Sequence, residues 1–328
     1  MKQQTILVTG GAGFVGSVCV ELLVAQGYNV IVLDNLQTGN RRAVHPKARL
    51  VRGSIGNARL LQRLFTENSV SAVVHFAAET LVTAASTDPH RYVVNNLQHG
   101  ITLLNALREH GCQRIVFSST AAVYGEPISS PLDENHPTAP LNAYGETKLM
   151  FERLLQRYRE AYGLQAVVFR YFNAAGASAH YGEQHMPETH LLPLILQTAV
   201  GQRASLDLFG EDYETEDGTC VRDYVHVLDI AGAHVLALAK IDSLSANTFN
   251  LGNGTGFSVR AVVQAAERIT GRKVAVSLQP RRPGDPARLV AAATRAQQVL
   301  GWQPKHSALD NIISSAWHWM QQHPHGYR

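Results

Sequence analysis

The run TGGAGFVG at residues 9–16 constrains this chain more than any other feature. It sits between the β-branched stretch TILVT (5–9) and the helically patterned FVGSVCVELLVAQG. A strand that turns through glycines straight into a helix must turn tightly and leave the helix amino end facing the strand's carboxyl end. Glycines allow that turn and let the backbone come close to a bound group. The free amides and dipole of the helix N-terminus favour an anion there, a diphosphate above all. Gly11, Gly13 and Gly16 spell GxGxxG, while Gly10, Gly13 and Gly16 spell GxxGxxG, and the spacing alone leaves both open.

The chain beyond this turn repeats the alternation. NVIVLD (29–34), ARLVRG (48–53), AVVHFAA (72–78), RIVFSS (114–119) and AVVFRYF (166–172) read as strands. Between them lie the helical patterns NARLLQRLFTEN, VVNNLQHGITLLNALREHG and a helix beginning at YGETK (144–148). Strand–helix alternation predicts βαβ units and an α/β, doubly wound (Rossmann-type) parallel sheet. From about residue 174 loops lengthen and helical patterns fall at 191–201, 226–240, 258–270 and 307–323. The division expected is a dinucleotide-binding domain over 1–173 and a smaller C-terminal substrate-binding lobe over 174–328. Residues 226–252 are expected to return to the first domain, NTFNLG (247–252) as a strand.

Asp34 ends the second strand, 18 residues beyond Gly16. A carboxylate there accepts hydrogen bonds from the adenosine ribose and repels a 2′-phosphate, which favours NAD over NADP. Arg41 and Arg42 are the residues a 2′-phosphate could use, but they come seven and eight positions later. The net charge of +3 gives no case for nucleic acid. No apolar run approaches the roughly 18 residues of a membrane span. MKQQTILVTG enters a strand at once, which leaves no room for a signal peptide, and the cysteines Cys19, Cys112 and Cys220 are sparse. A cytoplasmic protein with buried thiols is expected.

FSSTAAVYG (117–125) ends a strand with hydroxyls, Thr120 among them, at the carboxyl end where ligands of such sheets sit. Tyr144 and Lys148 lie one helical turn apart on one face. That spacing alone fits a helix-start tyrosine with a solvated lysine. Beside a dinucleotide it fits a proton-transfer pair. A free phenol has a pKa of ~10, and a neighbouring ammonium with a cationic nicotinamide favours its ionised form. Tyr144 would then act as the base while the cofactor takes a hydride, with Thr120 sharing the proton network.

TGxxGxxG, the strand-end hydroxyl and YxxxK together resemble the extended, sugar-nucleotide-modifying branch of the short-chain dehydrogenase/reductase superfamily. LDNL, HFAA, FRYFNAAGA, FGEDYETEDGTCVRDYVHVLD, FNLGNG, RRPGDP and WHWMQQHPHGY carry the likeness along the whole chain to the UDP-glucose 4-epimerase family. The resemblance implies reversible C4 epimerisation of UDP-glucose and UDP-galactose through a transient 4-keto sugar, with tightly bound NAD and a homodimer built on helices around 90–110 and 143–162. It implies cofactor contacts at Phe14, Val15, Asp34, Asn35, Leu36, Gln37, Thr38, Gly39, Ser54, Ile55, Phe76, Ala77, Ala78, Asn95 and Phe172, besides Gly10, Gly13, Gly16, Tyr144 and Lys148. For a UDP-sugar it implies Thr120, Tyr144, Asn173, His190, Leu191, Leu208, Phe209, Arg222, Arg282, Asp285 and Leu289. Arg222 and Arg282 match diphosphate contacts, Asp285 a uridine ribose contact, and Leu208 and Phe209 a uracil pocket. Ser54, Thr80 and Thr120 depart from the family's more usual Asp, Lys and Ser. Leu289 falls at the position that limits bulk at C2 of the sugar, and leucine there leaves space for an N-acetyl group.

Sugar-nucleotide dehydratases and decarboxylases need acids where this chain has Ala121 and Ala122. A 4-epimerase of another UDP-sugar (N-acetylhexosamine, pentose or uronic acid) stays open. A non-catalytic NAD-binding regulator would be free to lose Tyr144 or Lys148, and both are present. A net dehydrogenase would need added NAD. HYGEQHMPETH (180–190) is rich in His and Glu but lacks HExxH spacing and reads as a loop, so no metal is expected. His75 and His99 read as structural.

Overall fold

The computed structural model describes residues 4–282 and 284–327. Pro283 of the RRPGDP motif and the first three residues lie outside that range. Seven parallel strands form the central sheet: β1 (Thr5–Thr9), β2 (Asn29–Asp34), β3 (Arg49–Arg52), β4 (Val70–His75), β5 (Arg114–Thr120), β6 (Gln165–Tyr171) and β7 (Thr248–Leu251). Their order is β7-β6-β5-β4-β1-β2-β3. The strands are buried runs of Val, Ile and Leu because helices cover both faces. One face packs Val18, Cys19, Val20 and Leu23 of α1 (Phe14–Ala25) together with Ile230, Ala233 and Ala237 of the helix Val227–Lys240. The other packs Leu61, Leu64 and Phe65 of α2 (Ala58–Glu67), Leu103, Leu104 and Leu107 of α3 (His99–Glu109), and Phe151 and Leu155 of α4 (Ala143–Tyr162).

The strand order reverses between β1 and β4, which opens a crevice beyond their carboxyl ends. Residues 72–78 do not form the single strand expected of them. Phe76, Ala77 and Ala78 leave the ladder, because Phe76 and Ala77 both donate their backbone N–H to Thr9 O, which bends the chain over the glycine turn. The long helix expected from residue 93 begins with a π-type stretch at Val93–Gln98. There the buried Asn96 side chain bonds the Glu79 backbone on both sides and reaches Thr147 Oγ1. Such local unwinding brings a residue out of helical register, here Asn95, which faces the crevice.

Asn142 caps α4, its Oδ1 accepting from Gly145 N at 2.9 Å, and Gly163 ends the helix at φ 73°, where a side chain is disfavoured. The caps place Tyr144 in the first turn, beneath the end of β5. Beyond β6, short strand pairs and the helices α5 (Leu191–Ala199), Val259–Thr270 and Leu309–Gln322 gather a separate core around Leu192, Ile195, Leu196, Val262, Val263, Ile312 and Ile313. This assembly stands over the crevice. Cys19, Cys112 and Cys220 are free and buried.

Candidate active site

One continuous cleft of about 1430 Å³ runs from the glycine turn to Arg222 and Arg282. That exceeds the roughly 300–1,000 Å³ of a site for one drug-sized ligand. It is large enough for a dinucleotide and a second nucleotide end to end. At its near end the two glycine patterns separate. A Cβ on Gly16 would lie 2.2 Å from Gly10 O, and one on Gly10, at φ 72°, would lie 2.6 Å from Ala77 N. Gly10, Gly13 and Gly16 line the cleft, as do Phe14 and Val15. Gly11 instead packs on Val32 and Val20 away from it. The cradle is GxxGxxG.

Asp34 closes this end. Its Oδ2 accepts from Ala12 N at 3.0 Å and its Oδ1 from Leu36 N at 2.9 Å. Burial pushes the carboxyl up while the two amides pull it down, and each oxygen keeps a lone pair for a ribose hydroxyl. Asn35, Gln37, Thr38, Gly39, Ser54, Ile55, Phe76, Ala77, Ala78 and Asn95 also face the cleft. Leu36 does not. Held at φ 60°, it gives Asp34 its amide. Arg42 is tied to the chain's far end, Nη1 donating to Tyr327 O at 3.2 Å, and neither it nor Arg41 lines the cleft.

Midway lie Thr120 and Tyr144 on the wall, with Phe172 and Asn173 opposite. Burial pushes the Tyr144 phenol up to about 12, against the hydrogen bond from the Thr120 hydroxyl. Lys148 is not on the wall. It lies beneath, Nζ donating to Ser118 O at 2.8 Å, 4.8 Å above the Phe117 ring and 5.9 Å from the Tyr144 ring. Burial lowers its ammonium to about 7, while the carboxylate of Glu152 one turn on raises it. The expected lysine lowering of the phenol is not seen in the free chain. Burial dominates the phenol, and the group that lowers it is the Thr120 hydroxyl rather than the ammonium. Glu152 is held by Arg170, whose Nη2 donates to Oε2 at 2.6 Å, and it accepts from Ser119 Oγ.

At the far end Arg222 Nη2 donates to Asp285 Oδ1 at 2.7 Å, and its Nη1 donates to the Val221 and Pro286 carbonyls. The Arg282 guanidinium stacks 3.7 Å from the Phe209 ring centre. Leu208, Leu289, His190 and Leu191 complete this wall, and Asn173 is oriented by donating to Asp223 O at 2.9 Å. The cleft also exposes residues that sequence reasoning missed, among them Ala12, Tyr171 and Arg203. Tyr171 stands next to Phe172 at the end of β6, so strand-end position was a usable signal. Arg203 carries no signal of its own. The His/Glu run is a loop, as its sequence reads. It folds back so that Glu183, His185, Glu188 and His190 bring their ligand atoms within 4.8 Å of one another.

A parallel sheet with a glycine cradle and ribose-facing acid at its switch point, and a Tyr–Lys pair under a strand-end threonine, defines a dinucleotide-dependent enzyme of the sugar-modifying type. The family model for the NAD dependent epimerase/dehydratase family matches residues 6–252, and the chain belongs to that family. It is 49% identical to a UDP-glucose 4-epimerase of Halalkalibacterium halodurans over 98% of this chain and 97% of that protein. A crystal structure of a UDP-glucose 4-epimerase superposes with a TM-score of 0.97 at 44% identity, covering 99% of this chain and all of that one. The Bifidobacterium longum UDP-glucose 4-epimerase, solved with NAD+ and UDP, gives a TM-score of 0.94 at 36% identity, covering 98% of this chain and 100% of that one.

Proposed function

We propose that this chain interconverts UDP-glucose and UDP-galactose by C4 epimerisation with resident NAD. The observation that carries the reading is the single cleft that joins a dinucleotide cradle to an arginine- and aromatic-lined nucleotide end, with Tyr144 between them. Gly10, Gly13 and Gly16 would hold the cofactor diphosphate and Asp34 its adenosine ribose; the absence of room for a Cβ at Gly10 and Gly16 fits a cradle of bare backbone. NAD+ held there would supply the hydride acceptor and donor for C4 of the sugar.

Tyr144 takes the proton of the 4-hydroxyl as the carbonyl forms, and gives a proton back when the carbonyl is reduced. Thr120, bonded to the phenol, holds the substrate hydroxyl in line. Lys148 supplies positive charge from below, and Glu152 helps keep it protonated. Arg222, paired with Asp285, and Arg282, stacked on Phe209, anchor the UDP moiety. The anchoring groups cluster on the nucleotide, which leaves the sugar free to turn over between the two half-reactions. Leu289 on the wall supports a second substrate class, UDP-N-acetylhexosamines. We also propose a cytoplasmic homodimer. Val93, Ile101, Met150 and Tyr162, on the helices of residues 93–109 and 143–162, are large hydrophobics left exposed. A monomer mass in sedimentation analysis would rule the dimer out, and recovery outside the cytoplasmic fraction would rule out the location.

Purified protein mixed with UDP-galactose and no added nicotinamide is expected to form UDP-glucose without accumulating NADH. NADH build-up would point to a net dehydrogenase. No product from protein that releases NAD on denaturation would reject the glucose/galactose assignment, and UDP-N-acetylglucosamine assayed alongside tests the Leu289 reading.

A further inference from the structure

Between the short strand Asn173–Ala175 and α5, the chain folds a loop whose residues Glu183, His185 and Glu188 line the same cleft but have no task in the reaction above. Glu183 Oε1 lies 3.3 Å from His185 Nδ1 and 3.1 Å from His190 Nδ1. Glu188 faces the same rings, Oε1 at 2.9 Å from His190 Nδ1 and Oε2 at 3.6 Å from His185 Nδ1. From this geometry we infer that Glu183, His185, Glu188 and His190 form a binding site for one divalent transition-metal ion of the zinc class.

A four-coordinate zinc ion with bonds of about 2.0–2.2 Å holds its ligand atoms about 3.3–3.6 Å apart along each tetrahedral edge. The His185 contacts, at 3.3 and 3.6 Å, have that spacing before any ion is supplied, while those of His190, at 3.1 and 2.9 Å, are hydrogen-bond distances that would open by a few tenths of an ångström around an ion. His185 Nδ1 is sealed from solvent and faces the two carboxylates at ion-pair distances of 3.3 and 3.6 Å. A ring nitrogen turned onto two carboxylates is placed to ligate an ion between them once its proton leaves. The Glu188 carboxylate is already oriented by the Thr189 and His190 amides, which donate to Oε1 at 2.8 and 2.9 Å. Metal ligands are commonly fixed by such outer hydrogen bonds.

The donor set excludes other occupants. Two imidazoles argue against calcium and magnesium, and the lack of a thiolate argues against copper(I). Two carboxylates neutralise one dication. Imidazoles ligate without a proton on the bonding nitrogen, so any proton held there is released when the ion binds. Four side chains complete the shell, so the ion itself keeps no open position for substrate, and His190, which ligates through Nδ1, keeps Nε2 for the cleft. Its effect is local order. The ion clamps the loop at four points and fixes His190 and Leu191, which open α5 and form part of the cleft wall. The metal site stands whichever sugar is turned over.

The test uses the full chain with its NAD, stripped with a chelator and then titrated with zinc. About one zinc per chain by elemental analysis is expected, with a melting temperature that rises with zinc concentration. Cobalt in place of zinc is expected to show the intense visible bands of a four-coordinate ion. His185→Ala and Glu183→Gln should each weaken zinc binding by at least about tenfold, with retained NAD reporting that the variants are folded. Wild-type protein that holds NAD but takes up no stoichiometric zinc would overturn the site. So would His185→Ala binding zinc as well as wild type, or a weak six-coordinate cobalt spectrum. Each leaves the cluster as ion pairs held by protons alone.

Discussion

Tyr144 is half-buried on the cleft wall beside Thr120, and its phenol is pushed up to about 12, away from the ionised form a base needs. Ionisation needs positive charge brought close, which cofactor binding supplies together with Lys148. Tyr144→Phe should therefore lower kcat by about 10²–10⁴-fold and leave the NAD content of the purified protein unchanged. An unchanged kcat would remove Tyr144 from the proton path. The spacing of Tyr144 and Lys148 was legible in the sequence, because i, i+4 alone puts two residues on one helix face. The position of the ammonium was not. Spacing cannot reveal that the Ser118 carbonyl, from the neighbouring strand, offers Lys148 a closer partner than the phenol. Leu36 differs for a similar reason: the family resemblance implied a cofactor contact there, but the residue, in a left-handed backbone conformation, does not line the cleft.

The glycine turn is where an element's local sequence and its task coincide. Gly11 and Gly16 stand in one motif but carry different loads. Gly16→Ala places a Cβ 2.2 Å from a backbone oxygen that has nowhere to move, so loss of bound NAD is expected. Gly11→Ala meets the Val32 side chain at 2.9 Å, so the expected result is a stability loss of about 1–3 kcal/mol with NAD retained. NAD stoichiometry after purification, read beside thermal melting, separates the two; equal behaviour would reject this division of roles. The regular strands and helices of residues 5–171 were readable because period and punctuation agree there. The loop 183–190 was not. Its four ligand-type side chains converge through a turn-back of the chain, which has no period to betray it.

At the scale of the whole molecule, His75, His226 and His234, among the described residues, are held neutral in the interior. Burial lowers His75 to about 3, and His226 and His234 to about 4. Their hydrogen bonds explain the tolerance: His75 bonds Thr9 Oγ1, His226 Ser315 Oγ, and His234 Ser118 Oγ. The unfolded chain protonates these rings near pH 6.5, so below that pH it carries more protons than the folded chain. Stability is then full above about pH 6.5 and falls on acidification until about pH 3–4, by up to about 1.4 kcal/mol per pH unit for each ring. Denaturant midpoints that hold steady from about pH 7 to 5 would contradict this. His75 read as structural from sequence, but the other two gave no sign, since their partners come from distant segments. The placing of β7 matters on another timescale. It pairs with β6 from beyond a long intervening stretch of chain, Val168 opposite Thr248. On the ribosome, β6 must wait with one edge bare until the later segment emerges, which makes that edge the nascent chain's most exposed site for mispairing.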